Sequence, residues 1–176
     1  MTGGLLLDTH IVLWLDSGDD QLRPSTRALI DGCWHNGGTI HLSAVSVWEI
    51  ALLVDLRRIE LDLPIENWVS RFLQRPGIEP VPLDHRAAAR SYRLYQLEHR
   101  DPAVRLLTAT AIELDCPLVT YDEPALCRRL RPTTRVRRCR LKFSRSHALP
   151  RARGRVRVGA GWPAPARSDD ARDGRL

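Results

Sequence analysis

Short apolar runs alternate with longer segments of helical periodicity along the first 120 residues of the chain. Runs at 5–7, 39–42 and 118–120 each stop at a polar residue or a tyrosine. Continuous apolar runs of this length are typical of strands that are buried on both faces. Weaker strand signals lie around Val81 and at Thr134–Val136. The pattern therefore predicts a small set of short, buried strands.

The segments between these strands carry apolar residues at intervals of three and four, which is the spacing of an amphipathic helix. Asp84 precedes one such segment, and Asp101-Pro102 opens another with an N-cap residue and a proline in the first turn. The predicted helices are 11–15, 24–36, 45–56, 64–72, 85–95, 102–115 and 123–129. Strands that alternate with helices are joined by right-handed crossovers, so the sequence predicts an α/β fold with a parallel sheet.

The charge of the chain is divided unevenly between a front part and a tail. Residues 1–127 hold 11 arginines against 18 acidic residues, a formal charge of −7, whereas residues 128–176 hold 16 basic and three acidic residues, a charge of +13. The overall +6 is therefore no evidence for nucleic-acid binding. From about Leu141 the chain has too few large apolar residues to offset the entropy of ordering. We expect one domain at 1–138 and a basic, disordered tail rich in Arg, Pro and Gly at 139–176.

Two interpretations of this tail remain open. One is a nucleic-acid-binding arm formed by a run of arginines, namely Arg151, Arg153, Arg155 and Arg157. The other is a frame-shifted or read-through end without a selected role. We favour the second, because a GC-rich coding sequence yields Arg, Pro, Gly and Ala in any frame, and the chain holds 26 arginines and one lysine.

Missing features argue against several other classes of protein. No apolar run reaches the roughly 18 residues that cross a bilayer, and the first residues lack the basic and long apolar regions of a signal peptide. We therefore expect a cytoplasmic protein that does not associate with a membrane. The four cysteines show no C-x-x-C spacing, which argues against a zinc site. The absence of G-x-G-x-x-G and G-K-[ST] motifs argues against a nucleotide-binding protein.

Carboxylates follow two of the predicted strands, and another lies on the helix after a third strand. Asp8 and Asp122 stand where strands end, at the edge where parallel sheets bind ligands, although each also suits an N-cap. Glu49 lies beside the apolar stripe of its helix, where an unpaired carboxylate is costly to bury. Because the front part has no lysine, a divalent cation is an economical counter-charge if the fold brings the three carboxylates together.

Four short motifs occur in order along the chain. They are Leu-Leu-Leu-Asp8-Thr9-His10, the run Leu42-Ser43-Ala44-Val45-Ser46-Val47-Trp48-Glu49-Ile50, then His99-Arg100-Asp101-Pro102, and Pro117-Leu118-Val119-Thr120-Tyr121-Asp122. Together they resemble the signatures of the PIN domain family, in particular toxins of the VapC type, over roughly residues 4–136. The resemblance implies a three-layer α/β/α sandwich with a central, mostly parallel sheet of four to five strands. It also implies a Mg²⁺- or Mn²⁺-dependent endoribonuclease that a cognate antitoxin holds inactive.

The same resemblance implies roles for individual residues. The family's acidic cluster corresponds to Asp8, Glu49 and Asp122, which would bind the metal for in-line attack of water on an RNA phosphodiester. Three hydroxyl residues match positions that orient metal-bound water or support a carboxylate, although capping and packing explain them equally well. They are Thr9, Ser46 and Thr120, the last of which is expected to support Asp122.

The third motif departs from the family at one position. The family's pattern is His-x-Asp-Pro-x-Asp-Arg, with the second Asp as a metal ligand, but Val104 stands in that place before Arg105. Loss of a carboxylate weakens metal binding. Asp101 lies one turn earlier and is a doubtful substitute, because its place before Pro102 better suits a helix cap. Two hypotheses follow: an active, weakened metal-dependent ribonuclease toxin, or a degenerate PIN domain that binds antitoxin or RNA without cleavage.

Other residues are assigned by position. Arginines that flank the motifs are candidates for contacts with RNA phosphates, or for ordinary surface positions: Arg100, Arg105, Arg128 and Arg129. Glu113 is a candidate support for the metal site, and His10 and His99 are expected to be ordinary packed or exposed side chains. The tryptophans at apolar helical positions are predicted to lie in the core or in a homodimer interface: Trp14, Trp34, Trp48 and Trp68. The resemblance to the family further implies a homodimer and an antitoxin segment laid in a groove, for which the apolar helices 11–15 and 45–54 leave room.

Overall fold

The computed structural model describes residues 3–95, 97 and 100–121, together with the backbone of residues 157 and 158. Several predictions from the sequence lie outside the described residues. They concern the helix at 123–129, the strand at Thr134–Val136, nearly all of the tail, and the residues His99, Asp122, Arg128 and Arg129.

Four parallel strands form the central sheet. They are β1 (Leu5–Leu7), β2 (Ile40–Ser43), β4 (Ile78–Val81) and β5 (Leu118–Val119), in the order β4-β2-β1-β5. β1 lies in the interior of the sheet, where Leu5 pairs with Ile40 of β2 and Leu6 pairs with Leu118 of β5. The parallel sheet confirms the predicted fold class, and β4 extends the short strand expected around Val81 to four residues.

Six helices belong to the described part of the chain. They are α1 (Thr9–Ser17), α2 (Pro24–His35), α3 (Ala44–Asp55), α4 (Ile65–Leu73), α5 (His85–Ser91) and α6 (Pro102–Glu113). Side chains that accept a backbone N–H cap four of them: Asp8, Ser43, Asp84 and Asp101. The predicted caps at Asp84 and Asp101 are therefore confirmed, because both carboxylates satisfy amides that lack an intrahelical partner.

The helix expected at 85–95 is shorter than predicted and ends at Ser91. Arg105 of α6 explains this end, because its guanidinium donates to the backbone carbonyl oxygens of Ser91, Leu94 and Leu97 at 3.0, 3.2 and 3.1 Å. These carbonyls are thereby satisfied by a side chain. The chain after Ser91 can leave the helix without burying unpaired backbone groups.

The sheet is covered on both faces, because alternate residues of β1 belong to two different apolar clusters. Leu5 and Leu7 lie in the larger cluster, with residues of α1, α2 and α4. Leu6 points to the opposite face, where it packs with Val45 of α3 and Leu107 of α6. Since successive strand residues face opposite sides of a sheet, this division confirms the three-layer arrangement.

A buried carboxylate joins α1 to α4 within the larger cluster. Asp16 is fully buried and accepts a hydrogen bond from Trp68 Nε1 at 2.8 Å. It also forms ion pairs with Arg71, at 3.3 Å, and with Arg75. Two guanidinium groups and an indole N–H therefore replace the water that this carboxylate would otherwise bind.

Three of the four tryptophans assigned to the core or an interface lie in or against the larger cluster. Trp34 and Trp68 are buried, and Trp14 packs against the cluster. Trp48, on α3, is 57% exposed and so does not belong to the core of a single chain. Over the described residues, no helix has the length and apolar character required to span a membrane.

A second, two-stranded sheet lies apart from the central one. It pairs β3 (Glu60–Leu61) in parallel with β6 (Arg157–Val158). β6 also contacts α1. Within the segment 139–176, which we expected to be disordered, these two residues are the ones that the structure describes, and they form a strand.

Candidate active site

Asp8 directly follows β1, at the edge of the sheet where the carboxyl ends of the strands lie. Its backbone N–H donates to the carbonyl oxygen of Val119 at 3.0 Å, so the pairing with β5 continues to this residue. Its Oδ1 accepts the N–H of Thr9 at 2.7 Å, and its Oδ2 accepts the hydroxyl of Thr120 at 2.6 Å. The side chain is therefore held at both oxygens. Thr120, which we expected to support Asp122, has its hydroxyl on Asp8.

Glu49 reaches the same place from α3. The hydroxyl of Thr9 donates to Glu49 Oε2 at 2.6 Å, while the N–H of Thr9 donates to Asp8. Thr9 itself is buried, with 1% of its surface exposed. One threonine thus joins two carboxylates that come from different elements. The structure brings Asp8, Thr9, Glu49 and Thr120 into a single hydrogen-bonded group.

The electrostatics of this group disfavour the ionised form of Glu49. Burial raises the pKa of Glu49 from 4.5 to about 7. The hydrogen bond from Thr9 opposes this rise, and the negative charges of Asp8 and Asp101 add to it. A positive charge placed between the carboxylates would relieve this repulsion and return Glu49 to its ionised form.

Ser46 provides an independent test of whether the group fits a divalent cation. Its hydroxyl is buried on α3, one helical turn before Glu49, and has no hydrogen-bond partner among the residues that the structure describes. Buried hydroxyls normally have a partner. Carboxylate and hydroxyl oxygens are the hard donors that Mg²⁺ or Mn²⁺ and their water ligands prefer. The residues present therefore fit the cation that the resemblance implies.

The described residues do not complete such a site by themselves. Within 3–95, 97 and 100–121, no three His, Cys, Asp or Glu side chains converge closely enough to hold a metal ion. Asp122, the third carboxylate of the predicted set, lies outside these residues. It follows directly on Tyr121, whose position is defined.

Asp101 is the N-cap of α6, and Val104 lies on the first turn of this helix. Oδ1 of Asp101 accepts the N–H of Ala103 at 2.9 Å, so this carboxylate caps the helix, and its charge acts on Glu49. Val104 is half-buried and offers no oxygen ligand. The first turn of α6 therefore places one carboxylate near the group, and that carboxylate is bonded to its own helix.

Tyr121 anchors the chain just before Asp122, a role that the sequence analysis missed. Its hydroxyl accepts the backbone N–H of Arg23 and donates to Thr26 Oγ1, both at 2.9 Å. The ring packs against Trp14, with 5.5 Å between ring centroids, and the guanidinium of Arg23 lies 4.8 Å from the Tyr121 centroid. The sequence offered one indication of this anchor, namely a tyrosine directly before the candidate ligand Asp122.

The other predicted site residues that the structure describes have partners outside this group or lie exposed. Arg105 is bonded to backbone carbonyls of the 91–97 segment and is a structural residue, whereas Arg100 is exposed in the loop before α6. Glu113 forms an ion pair with Arg90 at the opposite end of α6 from Asp101. His10 lies beside Trp14, with 5.7 Å between ring centroids.

The fold and the group together define a small parallel α/β protein with an acidic site at the carboxyl edge of its sheet. The model of the PIN domain family matches residues 5–128 of the chain. Ribonuclease VapC22 of Mycobacterium tuberculosis is 31% identical over 118 residues, which cover 67% of this chain and 86% of that protein. The crystal structure of VapBC2 from Rickettsia felis bound to a DNA fragment from its promoter has a similar fold. Its TM-score is 0.50 at 18% identity, over 67% of this chain and 87% of that chain.

The chain therefore belongs to the PIN domain family, and within it to the VapC type.

Proposed function

We propose that this protein is a metal-dependent endoribonuclease toxin that pairs with an antitoxin. The observation that carries the proposal is the pair of carboxylates, Asp8 and Glu49, joined by Thr9 at the sheet edge of a PIN domain. The relative from Mycobacterium tuberculosis is named a ribonuclease, which supports RNA as the substrate. Membership in the VapC type supports an antitoxin as the protein partner.

Asp8, Glu49 and Asp122 would hold the cation, Mg²⁺ or Mn²⁺, and the unpartnered hydroxyl of Ser46 would orient a water molecule beside it. When bound, the cation would activate water for attack on the phosphodiester and neutralise charge on the leaving oxygen. Asp101 is a weaker candidate ligand, because it already caps α6.

The protein's own contribution is to hold its carboxylates in one orientation before substrate arrives. Thr9 and Thr120 bond both oxygens of Asp8, and Thr9 bonds one oxygen of Glu49. Because one backbone N–H and two threonine hydroxyls already hold these carboxylates, ligand binding requires little reorganisation of the side chains. Arg100, which is exposed before α6, is our candidate for a contact with RNA phosphate.

A second candidate function is a degenerate PIN domain that binds antitoxin or RNA without cleavage. Val104 is the observation that favours it, because the family places a carboxylate at this position. Asp101 does not replace that ligand freely, since its Oδ1 is bonded to the amide of Ala103. A site with fewer carboxylates binds divalent cations more weakly.

Cleavage of structured RNA distinguishes the two functions. We expect the wild-type protein to cleave with Mn²⁺ or Mg²⁺ and to stop in EDTA, and we expect D8N and E49Q to reduce cleavage by at least about a hundredfold. D55N is the matched control, because Asp55 is an exposed carboxylate on the same helix as Glu49. If the wild-type protein is inactive with both metals and V104D cleaves, the protein is the degenerate form.

Homodimerisation and a cytoplasmic location remain predictions. An exposed apolar stripe on α3 supports the dimer, since Trp48, Leu52 and Leu56 are spaced four residues apart and are 57%, 41% and 51% exposed. Sedimentation equilibrium of the wild-type protein and of W48E tests this, and a monomeric wild-type protein at micromolar concentration would exclude the dimer.

A further inference from the structure

Part of the C-terminal region lies against the body of the molecule as a strand. β6 pairs in parallel with β3, so that Arg157 stands opposite Glu60 and Val158 opposite Leu61. We propose that the surface formed by β3 and α1 is a docking site for an extended basic segment. This chain fills the site with its own Arg157–Val158.

The burial of α1 is a second observation that supports this docking site. None of the nine residues of α1 is exposed, although the helix carries His10, Trp14 and Ser17 on its less buried side. Surface helices of globular domains normally keep one polar face in solvent. A helix that is covered along its whole length needs several neighbours, and β6 is one of them.

The sequence around β6 has the pattern of a strand that adds to a sheet edge. Arg155-Val156-Arg157-Val158 alternates charged and apolar residues with a period of two, and Gly154 and Gly159 flank this run. An added strand is bound through its main chain, and the alternation of its side chains selects the register. Arg157, the last arginine of the run that suggested a nucleic-acid-binding arm, therefore pairs with β3 through its backbone.

Charge and connectivity favour this occupant. Residues 1–127 carry a formal charge of −7 and residues 128–176 carry +13, so the two parts attract each other at moderate ionic strength. A two-residue pairing is weak by itself. Because the segment is tethered to the body, its effective concentration is on the order of millimolar, which favours a contact that free peptides would form poorly.

Hydrogen–deuterium exchange of the full chain tests the inference, and it requires neither RNA nor metal, so it does not depend on the proposed function. Successive residues of a strand point their N–H groups in opposite directions, so at least one of R157P and V158P removes a donor that faces β3. We expect that variant to lower the exchange protection of residues 59–62 by about tenfold. S168P, in the same region, is the matched control and should leave the protection unchanged.

A peptide with the sequence of residues 151–162, added at millimolar concentration, should restore protection of residues 59–62 in the proline variant. A peptide of the same composition in scrambled order should not. Unchanged protection in both R157P and V158P would overturn the proposal. Protection that appears only at high protein concentration, together with dimers in sedimentation, would show that a second copy fills the site and would overturn the assignment in cis.

Discussion

The burial of Glu49 predicts that replacement by glutamine stabilises the metal-free protein at alkaline pH. A carboxyl group whose pKa rises from 4.5 to about 7 on folding is worth at most about 3.5 kcal/mol, since one pKa unit corresponds to about 1.4 kcal/mol. Glu49 is half-buried, and solvent screening reduces this figure to about 1–2 kcal/mol. Glutamine keeps an oxygen that can accept the Thr9 hydroxyl and cannot ionise.

The sign follows from proton linkage. The folded state holds the proton on Glu49 more tightly than the unfolded state does, so its contribution to stability is fully present below pH 4.5. That contribution is lost as the pH rises through about 7. The free energy of unfolding of E49Q, relative to wild type, should therefore increase by about 1–2 kcal/mol between pH 4.5 and pH 8.5.

Urea denaturation in EDTA at these two pH values measures the difference, with D55N as the control that changes an exposed carboxylate on the same helix. A gap between E49Q and wild type that is the same at both pH values would refute this account of the site. A second titration adds Mn²⁺ at pH 8.5. If the cation binds at Glu49, saturation at a hundred times the Kd stabilises the wild-type protein by about 2.7 kcal/mol and E49Q by much less.

Three further substitutions probe the site and its support. D16N should lower the free energy of unfolding by about 2–4 kcal/mol in urea denaturation, because it removes the buried charge that pairs with Arg75 and Arg71, of which Arg71 keeps its ion pair with Asp62. S46A should leave metal-free stability within about 0.5 kcal/mol and weaken Mn²⁺ binding in calorimetry, because its hydroxyl has no protein partner in the described part. R105A should cost about 1–3 kcal/mol in urea denaturation and increase hydrogen exchange at 91–97.

Each of these predictions has a contrary outcome, and D16N and R105A also have a control variant. D20N changes an exposed carboxylate beyond the end of α1 and should leave stability unchanged, whereas wild-type stability in D16N would contradict the role of the buried ion pairs. Unaltered Mn²⁺ affinity in S46A would show that the Ser46 hydroxyl does not contribute to cation binding. R100A is the control for R105A, because we expect R100A to weaken RNA binding and to leave stability unchanged. A loss of stability in R100A, with weaker RNA binding and unchanged stability in R105A, would contradict these two assignments.

Caps and strand ends were predictable from the sequence because they depend on neighbouring residues. A carboxylate placed before a helix satisfies amides two or three residues away, so Asp84 and Asp101 have the partners expected of them. The runs that stop at Asp8 and Ser43 are strands, as their continuous apolar character predicted. The predicted end of α5 was wrong, because Arg105, on another helix, binds the carbonyl oxygens of Ser91 and of residues beyond it.

The composition of the site was predictable only in part. The motifs singled out Asp8, Thr9, Glu49 and Thr120, and these four residues lie in one hydrogen-bonded group. Their partners were not foreseen. Thr120 bonds Asp8, because the pairing of β1 with β5 sets these two residues side by side. Its support of Asp122 stays a prediction, because Asp122 lies outside the described residues.

The sequence by itself determined the alternation of strands and helices, the caps, the chemical types of the site residues and the family to which they belong. The alternation of elements and the caps depend on periodicity and on contacts within about one turn of chain, whereas the family and the types of the candidate site residues follow from the resemblance of the four motifs. The tertiary structure alone decided that Thr9 joins two carboxylates, that Ser46 is buried without a partner in the described part, and that Arg157–Val158 pairs with β3. Such contacts join residues far apart in the chain, and their geometry depends on how whole elements pack.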